Sequence, residues 1–99
     1  MKIESLVKQE IKKIDPDAEV ILFGSRARGD FRKDSDWDFL VLLARPLTPD
    51  LKSLILENLY NIELQHNSIL SPSIHSKTEW EGLIVTPIYQ IIKSEGKQT

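Results

Sequence analysis

The chain has 99 residues, of which 40% are hydrophobic and 28% charged, as expected for one compact domain spanning residues 1–99. A formal net charge of −2 argues against general nucleic-acid binding, and the lack of cysteine excludes disulfides, thiolate zinc sites and cysteine nucleophiles. The first residues are amphipathic and interrupted by charges, and no apolar run is long enough to span a membrane, so we expect a cytoplasmic protein.

The first helix and strand are predicted from spacing alone. Apolar residues recur at helical spacing near the start of the chain, at Ile3, Leu6, Val7, Ile11 and Ile14. We therefore predict a helix over residues 2–14, ending before Pro16. The run EVILF, Glu19–Phe23, predicts a short buried strand that ends at Gly24-Ser25.

A polar segment, SRARGDFRKDS, then leads into a second strand, predicted over Asp36–Leu43. Because side chains alternate along a strand, one face carries Asp36 and Asp38 and continues into core at Leu40 and Leu42. The other face is apolar and carries Trp37, Phe39 and Val41.

The second half of the chain contains three predicted helix starts. Thr48-Pro49-Asp50 combines an N-cap, a proline and an acid, and predicts a helix to about Gln65. Ser76 and Glu79 have capping-box spacing and predict a short helix through Leu83. Thr86-Pro87 predicts a last helix that ends near Gly96.

Between these helices, Ser68–His75 (SILSPSIH) predicts a strand, placed towards a sheet edge by Pro72. The predicted order is α-β-α-β-α-β-α-α. This order indicates an α/β (α+β) chain with a small sheet.

The segment Gly24–Asp38 carries the candidate chemistry. A glycine at the end of a strand exposes backbone N–H groups that phosphate oxygens can approach, and the Ser25 hydroxyl can cap a helix or donate to the same phosphate. By itself a Gly-Ser turn is a weak indication, because a tight turn with an N-cap is the commoner explanation.

Asp36 and Asp38 strengthen the case. Residues i and i+2 of a strand share a face, with Cα atoms about 6.5–7 Å apart. Two such carboxylates suit a hard cation that also binds substrate phosphates, and without a cation they repel each other. The alternative is a solvated strand end in which the aspartates cap the preceding turn.

Together, the run GSRARGDFRKDSDWDFLVLL resembles the signature of the DNA-polymerase-β-like nucleotidyltransferases, and in particular their smallest members, the minimal nucleotidyltransferase (MNT) domains. The residues that match are Gly24, Ser25, Ala27, Arg28, Gly29, Ser35, Asp36 and Asp38. The resemblance implies a small mixed sheet packed with helices, similar to the polymerase β palm.

The resemblance also implies roles for these residues. Gly24 and Ser25 would hold the terminal phosphates of a nucleoside triphosphate, expected to be ATP, while Asp36 and Asp38 would bind two Mg²⁺ ions. The reaction would be attack on the α-phosphate with release of pyrophosphate. MNT domains resemble halves of toxin–antitoxin pairs with a helical HEPN partner, and some transfer AMP to that partner.

Several cationic side chains lie beside this segment in sequence. Arg26, Arg28, Arg32 and Lys33 could supplement the metal ions around the phosphates, and we include Arg28 among the candidate nucleotide-binding residues. The alternative for Arg28 is a structural ion pair with Asp30 or with Asp34.

One departure from the family concerns a third carboxylate, which active members carry on a later strand. The corresponding strand here offers Ser71 or Ser73, and His75 shares their face. Glu63 borders the apolar side of its predicted helix and is the nearest replacement, although a glutamate exposed to water is the simpler interpretation. Two functions therefore stay open, a Mg²⁺-dependent nucleotidyltransferase and a degenerate antitoxin that acts by contact alone.

Overall fold

The computed structural model describes residues 2–99, so Met1, the first residue of the expected domain, lies outside the described residues. The elements are α1 (Ile3–Ile14), β1 (Glu19–Phe23), α2 (Ser25–Arg28), β2 (Trp37–Leu43), α3 (Pro49–His66), β3 (Leu70–Ser76), α4 (Lys77–Glu81), α5 (Pro87–Glu95) and β4 (Lys97–Gln98). The order is the predicted one up to α5, and β4 is additional.

The strands form one mixed sheet in the order β3-β2-β1-β4, which confirms the predicted fold class. β1 pairs antiparallel with both β2 and β4, whereas β2 pairs in parallel with β3. The parallel pair is connected by α3, because parallel neighbours need a long crossover. β3 lies at the edge of the sheet, where the missing N–H of Pro72 is tolerated, as predicted.

The three predicted helix starts in the second half are present. The hydroxyl oxygens of Thr48, Ser76 and Thr86 each accept a hydrogen bond from the backbone N–H three residues later, over 3.1 to 3.4 Å. α4 ends at Glu81 and is shorter than predicted. In the part of the chain that the structure describes, none of the helices combines the length and the apolar character needed to cross a bilayer.

Each face of the sheet has its own apolar core. On one face α1 and α3 cover the side chains of Phe39, Val41 and Leu43, all fully buried. On the other face Leu40 and Leu42 pack against residues of α4 and α5, chiefly Trp80 and Ile92. This second core occupies the face that Asp36 and Asp38 begin, as the alternation predicts.

Asp15 connects the end of α1 to the end of β2. Its side chain is only 6% exposed, and its carboxylate accepts hydrogen bonds from the backbone N–H of Ala44 at 2.8 Å and of Asp17 at 3.1 Å. A buried carboxylate needs such donors, and these two fix α1 against the sheet.

Candidate functional site

The Gly24 turn and Asp38 are in direct contact. Antiparallel register pairs Phe23 of β1 with Asp38 of β2, so Gly24 follows immediately beside the carboxylate. Gly24 has φ 75° and ψ −159°, a conformation open essentially to glycine alone. A Cβ atom at this position would overlap the Asp38 carboxylate. The Gly24 turn and the Asp38 carboxylate therefore meet at one end of the sheet.

Asp36 and Asp38, which we call the aspartate pair, differ in their surroundings. Asp36 immediately precedes β2 and is exposed, so the strand begins one residue later than predicted. Asp38 lies within β2 and is half-buried. The pair therefore lies at the mouth of the strand, with one carboxylate in water and one against the Gly24 turn.

The electrostatics of Asp38 reflect this position. Burial raises the pKa of the Asp38 carboxyl, the negative charges of Asp36 and Glu95 raise that pKa further, and the positive charge of Arg28 opposes them. The ionised form of Asp38 is thus disfavoured without a cation. Two adjacent carboxylates with this repulsion are a donor set that fits a divalent cation together with substrate phosphates.

Ser71 on β3 lies beside the aspartate pair. It is the in-register neighbour of Asp38 on β3, and its hydroxyl donates to Asp36 Oδ2 at 3.2 Å. Ser73 pairs with Leu40 and lies farther along the strand. Of the two serines considered, Ser71 is therefore the one that contacts the aspartate pair.

His75 lies on the aspartate face but at its far end. It pairs with Leu42, and its ring centroid is 5.5 Å from that of Trp80. Trp80 in turn stacks on Tyr89 with centroids 5.0 Å apart. These three rings cover the second core, so His75 contributes to packing, as does Trp80.

Glu63 does not join the aspartate pair. α3 packs on the opposite face of the sheet, and Glu63 lines a surface pocket there with Arg26 and Trp37. Within residues 2–99, no three His, Asp or Glu side chains are grouped to hold a metal ion. The hypothesis that Glu63 replaces the third carboxylate is wrong, because its helix covers the other side of β2.

Arg26 supports the polar loop after α2. Its guanidinium lies 4.4 Å from the ring centroids of both Phe31 and Trp37. It also donates to the carbonyl oxygens of Lys33 and Ser35, each at 3.1 Å. The guanidinium thus contacts two rings and two carbonyl oxygens, so Arg26 holds the loop that leads to Asp36. The side chains of the other loop cations, Arg32 and Lys33, are exposed.

Arg28 forms the predicted ion pair with Asp30, at 3.2 Å, and a second one with Glu95, at 3.1 Å. Glu95 Oε1 also accepts a hydrogen bond from the backbone N–H of Gly24 at 3.0 Å. Hydrogen bonds to Glu95 and Asp30 raise the pKa of Arg28, which stays cationic. Two of the predicted phosphate-binding residues, Gly24 and Arg28, thus share one carboxylate. Ser25 begins α2 beside them.

Glu95 is the residue that sequence reasoning missed. β4 pairs with β1 so that Leu22 faces Lys97, and two further steps of this register bring Glu95 opposite Gly24. A strand of two residues has no hydrophobic alternation to detect. The only sequence signal was the acid at the end of α5, next to Gly96.

A family model described as "Nucleotidyltransferase domain" matches residues 4–97. A relative from Methanocaldococcus jannaschii, named "Putative protein adenylyltransferase", is 41% identical over 59 residues, which are 60% of this chain and 60% of that protein. The match therefore spans less than two thirds of the relative's length.

Two solved structures share the fold. One, described as a toxin-antitoxin with AMP-PNP, has a TM-score of 0.69 and 21% identity, and the match covers 98% of this chain and 72% of that chain. The other, described as a toxin-antitoxin MntA-HpeT mutant, has a TM-score of 0.68 and 19% identity, with the same coverage.

Proposed function

Because the chain belongs to the nucleotidyltransferase domain family, we propose that it transfers AMP from ATP to a hydroxyl group on a partner protein. The contact between Gly24 and Asp38 carries this proposal. It brings backbone N–H groups, which can donate hydrogen bonds to phosphate, and a carboxylate, which can bind a cation, within reach of one triphosphate. The name of the archaeal relative supports adenylyl transfer to protein.

In the proposed reaction, the acceptor oxygen forms a bond to the α-phosphorus of ATP. The bond from that phosphorus to the bridging oxygen breaks, pyrophosphate leaves with the electron pair, and the hydroxyl proton passes to water. The backbone of Gly24, the hydroxyl of Ser25 and the guanidinium of Arg28 would bind and orient the phosphates. Orientation and charge neutralisation supply most of the catalysis in such transfers.

Asp36 and Asp38 would hold Mg²⁺. When bound, Mg²⁺ supplies neutralisation of the charge on the triphosphate and on the reacting oxygens. The repulsion that raises the Asp38 pKa supports this role, because a cation relieves it. Ser71 keeps Asp36 in place through its hydrogen bond.

The acceptor is proposed to be a helical HEPN-type toxin, in an antitoxin-like pair. The support is the fold shared with chains from toxin-antitoxin complexes, one of which was described with the ATP analogue AMP-PNP. In that arrangement the transferred AMP, or the contact itself, would restrain the toxin.

The test is transfer of radiolabel from α-labelled ATP to the protein encoded by the adjacent reading frame. The double variant Asp36→Asn/Asp38→Asn should lose labelling and Mg²⁺-dependent ATP binding while keeping its circular dichroism spectrum. The control Asp50→Asn/Glu57→Gln removes two charges from the exposed side of α3 and should label normally. Equal ATP affinity in wild type and the aspartate variant would contradict the proposal.

A second candidate is a contact antitoxin without turnover. Ser71 favours it, because the residue paired with Asp38 on β3 is a serine and not a third carboxylate. This function predicts that the partner is neutralised equally by wild type and by the Asp36→Asn/Asp38→Asn variant, with no label transferred. Labelling of the partner by wild type would exclude it.

A further inference from the structure

The Gly24 N–H and the Arg28 guanidinium, which we call the anion-binding pair, already hold an anion that belongs to the protein. Gly24 N–H donates to Glu95 Oε1 at 3.0 Å, and Arg28 Nη1 donates to Oε1 and Oε2 at 3.2 and 3.1 Å. The Glu95 side chain is only 18% exposed. A carboxylate held by one backbone donor and one guanidinium uses the same hydrogen bonds that a phosphate oxygen would use.

The position of Glu95 is otherwise unfavourable for a negative charge. Glu95 is the last residue of α5, where the helix dipole disfavours carboxylates. Its charge also acts on Asp38, whose pKa it helps to raise. The anion-binding pair is therefore what keeps this carboxylate in place, and a better oxyanion could replace it.

Exchange requires only a side-chain movement. The backbone around Glu95 is fixed on both sides, since Gly96 N–H donates to Ile92 carbonyl oxygen at 2.7 Å and β4 pairs with β1. A glutamate side chain has three rotatable bonds, so its carboxylate can swing into water while the strand stays paired. The fold need not open for the exchange.

We propose that Glu95 is an intramolecular competitor for the phosphate site, and that a phosphate of the nucleotide binds by displacing its carboxylate from Gly24 and Arg28. This inference rests on the proposed function, because it takes the nucleotide site to lie at the Gly24 turn. It assigns to Glu95 a regulatory role, which is to lower the affinity of the free protein for phosphates.

The test compares ATP affinity by calorimetry in wild type, Glu95→Gln and the control Glu57→Gln. Glu57 is exposed on α3, so its variant has the same net charge as Glu95→Gln without changing the site. Competition reduces apparent affinity by the fraction of molecules in which the site is free, so Glu95→Gln should bind ATP about 5- to 20-fold more tightly. Glu57→Gln should bind as wild type does.

Tripolyphosphate, which carries phosphates without a nucleoside, should show the same ratio between Glu95→Gln and wild type. If Glu95→Gln bound ATP more tightly than wild type but did not bind tripolyphosphate more tightly, the inference that a phosphate displaces the Glu95 carboxylate would be overturned. Equal or weaker ATP binding by Glu95→Gln, with normal binding by wild type, would overturn the inference and leave the proposed function standing. If none of the three folded proteins binds ATP, the proposed function fails, and the inference with it.

Discussion

Asp38 is under two opposing constraints. Its carboxylate fills the space that a side chain at position 24 would take, so the glycine turn and the aspartate can approach each other only without a Cβ between them. The same closeness takes the carboxylate partly out of water and sets it beside Asp36, which disfavours its charged form. The ionised Asp38 carboxylate thus lowers the stability of the free protein.

Because the ionised Asp38 carboxylate lowers the stability of the folded protein, we predict a pH-dependent effect of Asp38→Asn. The Asp38 pKa is higher in the folded state than in the unfolded state. Ionisation of Asp38 therefore destabilises the fold at pH values above the folded pKa, and this destabilisation is absent at pH values below the unfolded pKa. We expect Asp38→Asn to raise the melting temperature in EDTA by a few degrees at pH 7, and the gain to shrink as the pH falls into the range where both states are protonated.

Thermal unfolding measured at unit steps from about pH 3 to about pH 7 brackets the ordinary range of carboxyl titration and checks this effect. Asp50→Asn is the control, since Asp50 is exposed in the first turn of α3 and should show no such gain. A gain for Asp38→Asn that is equal at all pH values would contradict the electrostatic explanation.

Gly24→Ala should destabilise the protein more than Gly29→Ala. Both glycines have positive φ, 75° and 88°, but a Cβ at Gly29 would meet nothing within 4 Å. We expect about 1–2 kcal/mol for the backbone alone at Gly29. At Gly24 we expect about 1–3 kcal/mol for the backbone and roughly 1–3 kcal/mol more for overlap with Asp38.

Urea unfolding of both variants, each with and without Asp38→Ala, separates the two contributions. Removing the Asp38 carboxylate should recover part of the loss at Gly24, and the effects of Gly29→Ala and Asp38→Ala should simply add. Additive behaviour at Gly24 would show that the overlap with Asp38 has no energetic consequence.

At the scale of elements, predictions succeeded where one periodic run determined one element. The DxD spacing placed both aspartates on one face, and capping residues placed the starts of α3, α4 and α5. The prediction that Glu63 could replace the third carboxylate was wrong because it needed more than helical periodicity. Helical periodicity tells which side of its own helix a residue borders, but not which face of the sheet that helix covers.

The strand β4 was missed because its formation depends on tertiary pairing and not on its own sequence. β4 exists because β1 has a free edge next to Gly96, not because Lys97 and Gln98 favour extended structure. Tertiary pairing of this kind cannot be read from two residues. With β4 unseen, the proximity of Glu95 to Gly24 could not be predicted either.

Asp15 gives a prediction at this scale, because it connects two elements. Asp15→Ala leaves the backbone N–H groups of Ala44 and Asp17 without their acceptor, and we expect a loss of about 1–3 kcal/mol for this reason. Asp15→Asn keeps one acceptor oxygen and should lose less. Chemical unfolding measures both, and equal losses would show that the negative charge, not the acceptor geometry, matters.

In the whole molecule, the two faces of the sheet have different roles. The face covered by α1 and α3 holds the larger core, and the opposite face carries the aspartate pair at one end and a smaller core under α4 and α5 at the other. The sequence resemblance to nucleotidyltransferases is confirmed by the family model over residues 4–97. The motif was specific enough to identify the family, because it combined a turn and a carboxylate pair at fixed spacing.

The late position of Glu95 in the chain has a kinetic consequence. Gly24, Arg28 and Asp38 are close in sequence and meet when β1 and β2 close one short loop, whereas Glu95 is 71 residues from Gly24. Longer loops cost more entropy to close, and distant pairings slow folding. We therefore expect β1 and β2 to assemble first and β4 to dock last. A nucleotide that binds as proposed would then occupy Gly24 and Arg28 before Glu95 reaches them.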